Sequence, residues 1–183
     1  ILFAVAVGLL ASCSSSKKEE TPSHVQNNFY TVEQFADLQI LRYKVSGFEN
    51  LPLDQRELVY YLTEAALAGR DILFDQNGKY NLRIRRALEA VYTNPNEDKN
   101  SSEFTKLTTY LKRVWFSNGI HHHYGMEKFL PEFTPEYFKE ALFRVDASKL
   151  PLAEGETLDQ FLAIIQPVMF DASFMPKRVN QAD

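Results

Sequence analysis

Apolar side chains between Phe104 and Trp115 recur at Phe104, Leu107, Leu111, Val114 and Trp115, with Thr108 in the same series. Steps of three and four residues put them on one face of a 3.6-residue helix, a spacing that a strand would split between its two faces. The same period returns in four further stretches. Asp54, with Glu57 three residues on, caps a run carrying Leu58, Tyr61, Leu62, Ala65, Ile72 and Leu73, which Asn77-Gly78 closes. Ile84, Ala87, Leu88 and Val91 mark a helix over residues 81–92, stopped by Asn94-Pro95-Asn96. Ser102 caps the Phe104 stretch itself. Thr134-Pro135 opens a fourth helix, with proline at its first position and Phe138, Ala141, Leu142 and Val145 inward. Thr157 opens the fifth, carrying Leu158, Phe161, Leu162, Ile165 and Met169, and Pro167 kinks or ends its last turn. Between residues 29 and 48 the pattern is mixed and predicts at most a short extended piece over 39–45, interrupted by Gly47 and Pro52. Five amphipathic helices without alternating strands predict an all-α arrangement over this span. Each large apolar side chain buried contributes about 1.5–3 kcal/mol, so such stripes hold a bundle together once chain entropy is offset.

The helical pattern breaks between Trp115 and Phe133. This stretch reads W-F-S-N-G-I-H-H-H-Y-G-M-E-K-F-L-P-E-F and holds three of the four histidines and the only tryptophan. Asn118-Gly119 is a turn dipeptide, since both residues tolerate left-handed backbone. Gly125 supplies a second permissive hinge, and Ile120 to Tyr124 is expected to be irregular and exposed. Imidazoles and a phenol on a loop clamped by helices are a usual setting for binding chemistry.

Three histidines in a row raise the question of a metal, since imidazole is the commonest zinc ligand. Geometry weakens that reading. Only His121 and His123 share a face of an extended segment, and consecutive residues diverge by about 100° on a helix. Spacing selects neither Glu127 nor Glu132 to complete a site, and no H-x-x-x-H or cysteine pair is present. Hydrogen bonding within a binding loop, with Tyr124 and the amides near Gly119 and Gly125, is the simpler expectation. No G-x-S-x-G, phosphate loop or dinucleotide fingerprint occurs. The residues predict binding rather than visible catalysis.

A formal net charge of −4 gives no electrostatic case for nucleic acid. Arg83, Arg85 and Arg86 are the densest basic group and read as a solvated helix face. The single cysteine, Cys13, rules out an internal disulfide. It ends an apolar run too short to span a bilayer, and L-A-S-C at Leu10–Cys13 resembles the lipobox of bacterial lipoproteins, where the thiol is acylated. Lys17-Lys18-Glu19-Glu20 resembles the surface-export tract of Bacteroides-type lipoproteins. These likenesses imply a signal peptide and lipidation site over residues 1–13, a tether over 14–28, and a lipid-anchored location in the cell envelope. The opening Ile, without a basic n-region, and the lack of a closing element over 171–183 lead to the expectation of a gene product cut at both ends.

The run Ser117 to Pro131, S-N-G-I-H-H-H-Y-G-M-E-K-F-L-P, resembles a loop in the N-terminal lobe of the dipeptidyl peptidase III family of zinc exopeptidases. Its bacterial members carry N-G-I-H-H-H-Y-G almost unchanged. The runs A-G-R-D-I-L-F-D-Q-N (Ala68–Asn77) and M-P-K-R-V-N-Q-A (Met175–Ala182) are similar to the same branch. The resemblance implies a two-lobed α+β metallopeptidase that releases dipeptides from the free N-terminus of short peptides. Residues 29–183 would be the incomplete helical part of its substrate-side lobe. Zinc would be held by an H-E-x-x-G-H motif in the remainder of the same polypeptide, since no His-Glu pair occurs here. The chain alone is then expected to be inactive, without catalytic or metal-ligating residues of its own. The resemblance further implies that Tyr124 and Gly125 border the pocket for the substrate's first residue, with Asn118 and His123 beside them. The alternative expectation is a non-catalytic helical lipoprotein that binds a peptide, metal or partner through the histidine loop.

Overall fold

The stripe from Phe104 to Val114 forms the post against which the other elements pack. The computed structural model describes residues 30–178; the lipobox cysteine Cys13, the tether and the last residues of the M-P-K-R-V-N-Q-A run lie outside them. The described elements are strands β1 (Thr31–Phe35) and β2 (Leu38–Leu41), then helices α1 (Leu53–Ala68), α2 (Arg70–Asn77), α3 (Asn81–Thr93), α4 (Ser102–Ser117), α5 (Pro135–Phe143) and α6 (Leu158–Phe170). Single 3₁₀ turns occupy Phe48–Asn50 and Ala147–Lys149.

The all-α expectation is therefore wrong: the domain is mostly helical but mixed. β1 and β2 pair antiparallel, with Phe35 opposite Leu38, Gln34 opposite Gln39 and Glu33 opposite Ile40, and a bulge between Thr31 and Glu33. Ala36 turns the chain with a positive φ of 48°. A two-stranded hairpin is marginal alone, and side chains of α4 hold this one. Lys112 pairs with Glu33, Arg113 reaches Asp37 at 2.5 Å, and the Lys112 ammonium lies 5.7 Å from the Phe35 ring centre. Such long-range pairing leaves little trace in local periodicity.

The caps explain where the later helices begin. Ser101, one residue before the expected Ser102, accepts the Phe104 N–H and starts α4. Thr134 does the same for α5, with Pro135 at its first turn, and Thr157 with Gln160 forms a full capping box on α6. Helices α3 to α6 bury Ile84, Leu88, Leu107, Leu111, Phe138, Leu142, Phe161 and Ile165 completely. Phe133 sits among them, its ring 5.7 Å from Tyr110 and 5.6 Å from Phe170 in edge contacts. Burial pushes the Tyr110 phenol up.

The buried carboxylate of Glu97 is paired across the fold. Glu97 accepts two bonds from Arg144, at 2.8 and 3.0 Å, and one from the Tyr137 hydroxyl at 3.3 Å. Burial first, and then the Glu97 carboxylate, push the Tyr137 phenol up to about 12. The three arginines do not form one solvated face. Arg83 donates to the Pro151 carbonyl and pairs with Glu156, while Arg85 and Arg86 each reach Asp71 at 2.7 Å. Hydrogen bonds from Arg86 and Arg85 hold the Asp71 carboxyl below its usual range.

The first predicted helix differs most. It breaks at Gly69 into α1 and α2, and Asp54 makes no cap, since the chain enters from Pro52 with no side-chain bond. α1 buries nothing. Leu58, Tyr61 (67% exposed) and Leu62 (60% exposed) form the expected stripe, but among the described residues nothing covers it. Truncation at the two sites should therefore separate cleanly. Leu111→Ala should cost about 2–5 kcal/mol in urea unfolding, and Leu62→Ala less than about 0.5 kcal/mol; equal losses would mean that α1 packs in this chain.

Candidate functional site

The loop after α4 starts from the way that helix ends. Asn118 takes left-handed backbone (φ 52°, ψ 42°), and both its N–H and that of Gly119 return to the Val114 carbonyl, the latter at 3.0 Å. The Gly119 bond is the six-to-one link of a Schellman motif, and the Asn118 bond to the same carbonyl is that of the simpler left-handed closure. Gly119 has φ 152° and packs on the buried Asn81, the first residue of α3. A Cβ there would lie 2.8 Å from Asn81 Cγ and nearer still to its amide nitrogen. Asn81 cannot retreat, because its Oδ1 accepts the Ile120 N–H at 3.2 Å. Asn77 Nδ2 donates to the Asn118 carbonyl at 3.1 Å. The turn dipeptide thus fixes the direction in which the loop leaves the core.

Beyond the turn the chain is more ordered than an irregular exposed segment. Ile120 and His121 are buried. Phe129 N–H bonds to the Ile120 carbonyl at 2.8 Å, His122 N–H to Glu127 O at 2.7 Å, and Met126 N–H to His122 O at 3.0 Å, so residues 120–129 form a tight hairpin. Residues 176–178 add a third segment: Lys128 N–H reaches Pro176 O and Arg178 N–H reaches Met126 O, both at 3.0 Å. The expectation that residues 171–183 hold no closing element fails on this point. Positive φ falls on Met126 (66°), one residue past Gly125.

Three side chains lock the base. His121 Nε2 donates to the Met175 carbonyl at 2.9 Å, which fixes its tautomer. Lys128 Nζ donates to Val168 O at 3.0 Å, to Asp171 O at 2.6 Å and to Phe174 O, so its charge closes the C-terminal end of α6. Burial lowers the Lys128 ammonium, opposed by Asp171. Arg178 Nη1 donates to Asn77 Oδ1 at 3.3 Å. Asn77 and His121 are conspicuous in the sequence, as a helix stop and in the histidine run. Their bonding roles and those of Asn81, Lys128 and Arg178 are not, since each acts across more than thirty residues of chain.

The tip is organised by His122. Its Nδ1 accepts the N–H groups of Tyr124 (3.2 Å) and Gly125 (2.9 Å). Tyr124 is 83% exposed. Below it the rings run in series: His123 lies 4.4 Å from Tyr124, His122 4.7 Å from His123 in a stacked pair, Phe116 5.2 Å from His123 and Phe129 5.9 Å from His122. The Arg113 guanidinium covers Phe129 at 5.1 Å. Gly125 is exposed, and a side chain there would meet only the movable carboxylate of Glu127. Of the four residues singled out from sequence, Tyr124, Gly125 and His123 come together at the tip. Asn118 stands apart at the base as a helix cap.

The histidines do not converge as a ligand set. His121 Nε2 and His122 Nδ1 are engaged with backbone, and among the described residues no three His, Cys, Asp or Glu side chains surround one point. This segment does not fit a zinc ion. What the loop offers is a raised aromatic face, an accessible glycine backbone and two half-buried imidazoles.

Burial lowers the His121 pKa, with Lys128 and Arg178 adding to the effect and the Met175 hydrogen bond opposing it. The folded state therefore disfavours the charged ring. Its contribution to stability is complete above the unfolded imidazole pKa of about 6.5 and is lost as pH falls from there towards the lowered folded value. Thermal melts taken between about pH 7.5 and pH 5.5 should show a decline that His121→Gln flattens. Parallel profiles for the two proteins would remove His121 as the cause. No family model matches the chain and no curated protein matches it, so the geometry of this loop is what bears on function.

Proposed function

We propose that this chain forms one wall of the substrate cleft of a zinc-dependent dipeptidyl peptidase that takes short peptides by their free N-terminus. The observation that carries the reading is the presentation of Tyr124, almost wholly exposed at the tip of a hairpin whose base is pinned by Asn81, Lys128 and the 176–178 segment. An exposed phenol on a mobile loop would lose its ordering entropy on every binding event. One held by backbone bonds and lying against the His123 ring has lost that entropy in advance. Its ring suits an apolar or aromatic first side chain, and the exposed backbone of Gly125 lets a peptide main chain approach closely.

In this reading the wall binds and orients, and excludes water from one side of the peptide. The metal is held by the remainder of the polypeptide, and none of the loop residues ligates it. Cys13 anchors the protein to the cell envelope through its lipid. The likeness of Ser117–Pro131 to the dipeptidyl peptidase III loop supports the substrate class.

The reading frame beyond Asp183 tests the proposal first. An H-E-x-x-G-H motif downstream supports it, whereas a stop codon directly after Asp183 overturns it in favour of a binding lipoprotein. In the longer gene product, Tyr124→Ala should raise KM for dipeptidyl substrates about tenfold, a loss near 1.4 kcal/mol, with zinc content unchanged. Loss of zinc in that variant would instead make the histidine run a ligand set.

A further inference from the structure

Away from the loop tip, two hollows meet on the side of α4 that faces the hairpin and α1–α2. One, of about 260 Å³, is walled by Phe35 and Ile40 of the hairpin and by Trp115 and Phe116 of α4. The other, of about 370 Å³, lies between Leu67, Phe74 and Trp115. Arg70 and Trp115 line both. Trp115 is held in place: its Nε1 donates to Glu89 at 2.7 Å, and the Tyr92 ring meets it edge-on at 5.9 Å.

The charges around these hollows are matched within the protein, save one. Glu33 pairs with Lys112, Asp71 with Arg85 and Arg86, and Glu89 lies 3.2 Å from Arg85 Nε and accepts the Trp115 N–H. Arg70 has neither an ion pair nor a hydrogen bond, alone among the charged residues lining the two hollows, all of which are described residues. A guanidinium presents five donors in a planar fork suited to a carboxylate. Here it stands at the mouth of an apolar hollow with a fixed indole as floor.

We propose that this hollow is a binding site for an aromatic carboxylate, with the acid group on Arg70 and the ring against Trp115, Phe116 and Phe35. The smaller hollow falls below the roughly 300–1,000 Å³ of pockets for drug-sized ligands, which suits a single aromatic group rather than a length of peptide. The Glu33 carboxylate does not repel the anion outright, because Lys112 neutralises it. The ligand chemistry has two sources, a free aromatic acid or the C-terminal residue of a peptide. The site is distinct from the loop tip, since it uses neither Tyr124, Gly125 nor the histidines, although Phe116 also touches His123.

Trp115 is the only tryptophan of the chain, so its fluorescence reports occupancy directly. Titration of the whole chain with hydrocinnamate should give a saturable change in emission. Hydrocinnamamide, which lacks the charge, should bind at least about tenfold more weakly, as should hydrocinnamate to Arg70→Gln, since hydrogen bonds to charged groups are worth that factor or more. N-acetylphenylalanine distinguishes the sources: binding at comparable strength assigns a peptide C-terminus, and failure assigns a free acid. Phe116→Ala should weaken hydrocinnamate while leaving the circular dichroism spectrum unchanged. Absence of saturation, equal binding of acid and amide, or undiminished binding to Arg70→Gln would overturn the proposal.

Discussion

The contact between the end of α4 and the start of α3 decides where everything beyond it goes. Asn118 and Gly119 reverse the chain over Asn81, and the buried amide of Asn81 takes the Ile120 N–H that the reversal leaves without a helical partner. Only glycine fits at position 119, on grounds of both φ and space. The hairpin over 120–129 leaves the core in one direction because this joint admits one direction. Tyr124 is exposed as a consequence of that exit, and the stacked imidazoles beneath it are set by the same turn.

A second constraint acts from the opposite end of the hairpin. Lys128 gives its ammonium to two carbonyls at the end of α6 and to that of Phe174 just beyond, while the backbone on either side of it pairs with residues 176–178. A lysine there supplies donors to carbonyls that the helix cannot satisfy itself and places positive charge at the negative end of its dipole. His121 is then buried beside two cations, which explains why its ring stays neutral more readily than a free imidazole. Loop order and helix closure are in this way one structure, tied through a single side chain.

These features differ in how far local sequence reveals them. The stripes of α3 to α6 are legible because their period, caps and stop signals agree, and each face meets another such face. The stripe on α1 gives the same signal with the opposite outcome. Leu58, Tyr61 and Leu62 follow helical spacing and form a helix, yet no described residue covers them. Amphipathicity states that a helix has an apolar face and says nothing of what lies against it. Of the hairpin β1–β2 only an extended piece over 39–45, overlapping β2, is legible: five and four residues are too few for a period of two to show, and the pair is secured by Lys112 and Arg113, far along the chain. The histidine loop shows both sides. Its turn at Asn118-Gly119 follows from residue type, whereas its order depends on Pro176 and Arg178, which local chemistry gives no reason to bring there.

The histidine run owes its form to backbone needs. A hairpin tip with left-handed Met126 turns the amide N–H groups of Tyr124 and Gly125 inward over the turn, where they need an acceptor. His122 meets that need with one nitrogen for two amides, and His121 meets the converse need by donating to the Met175 carbonyl. Both would be lost if these nitrogens turned to a metal. His123, lying between Phe116 edge-on and Tyr124 at a tilt, supports the phenol from below. Three adjacent imidazoles thus serve as a hydrogen-bond donor, a hydrogen-bond acceptor and a stacking platform. That division accounts for the run without any ligand role, and it leaves the Tyr124 ring, 83% exposed, free to meet another molecule.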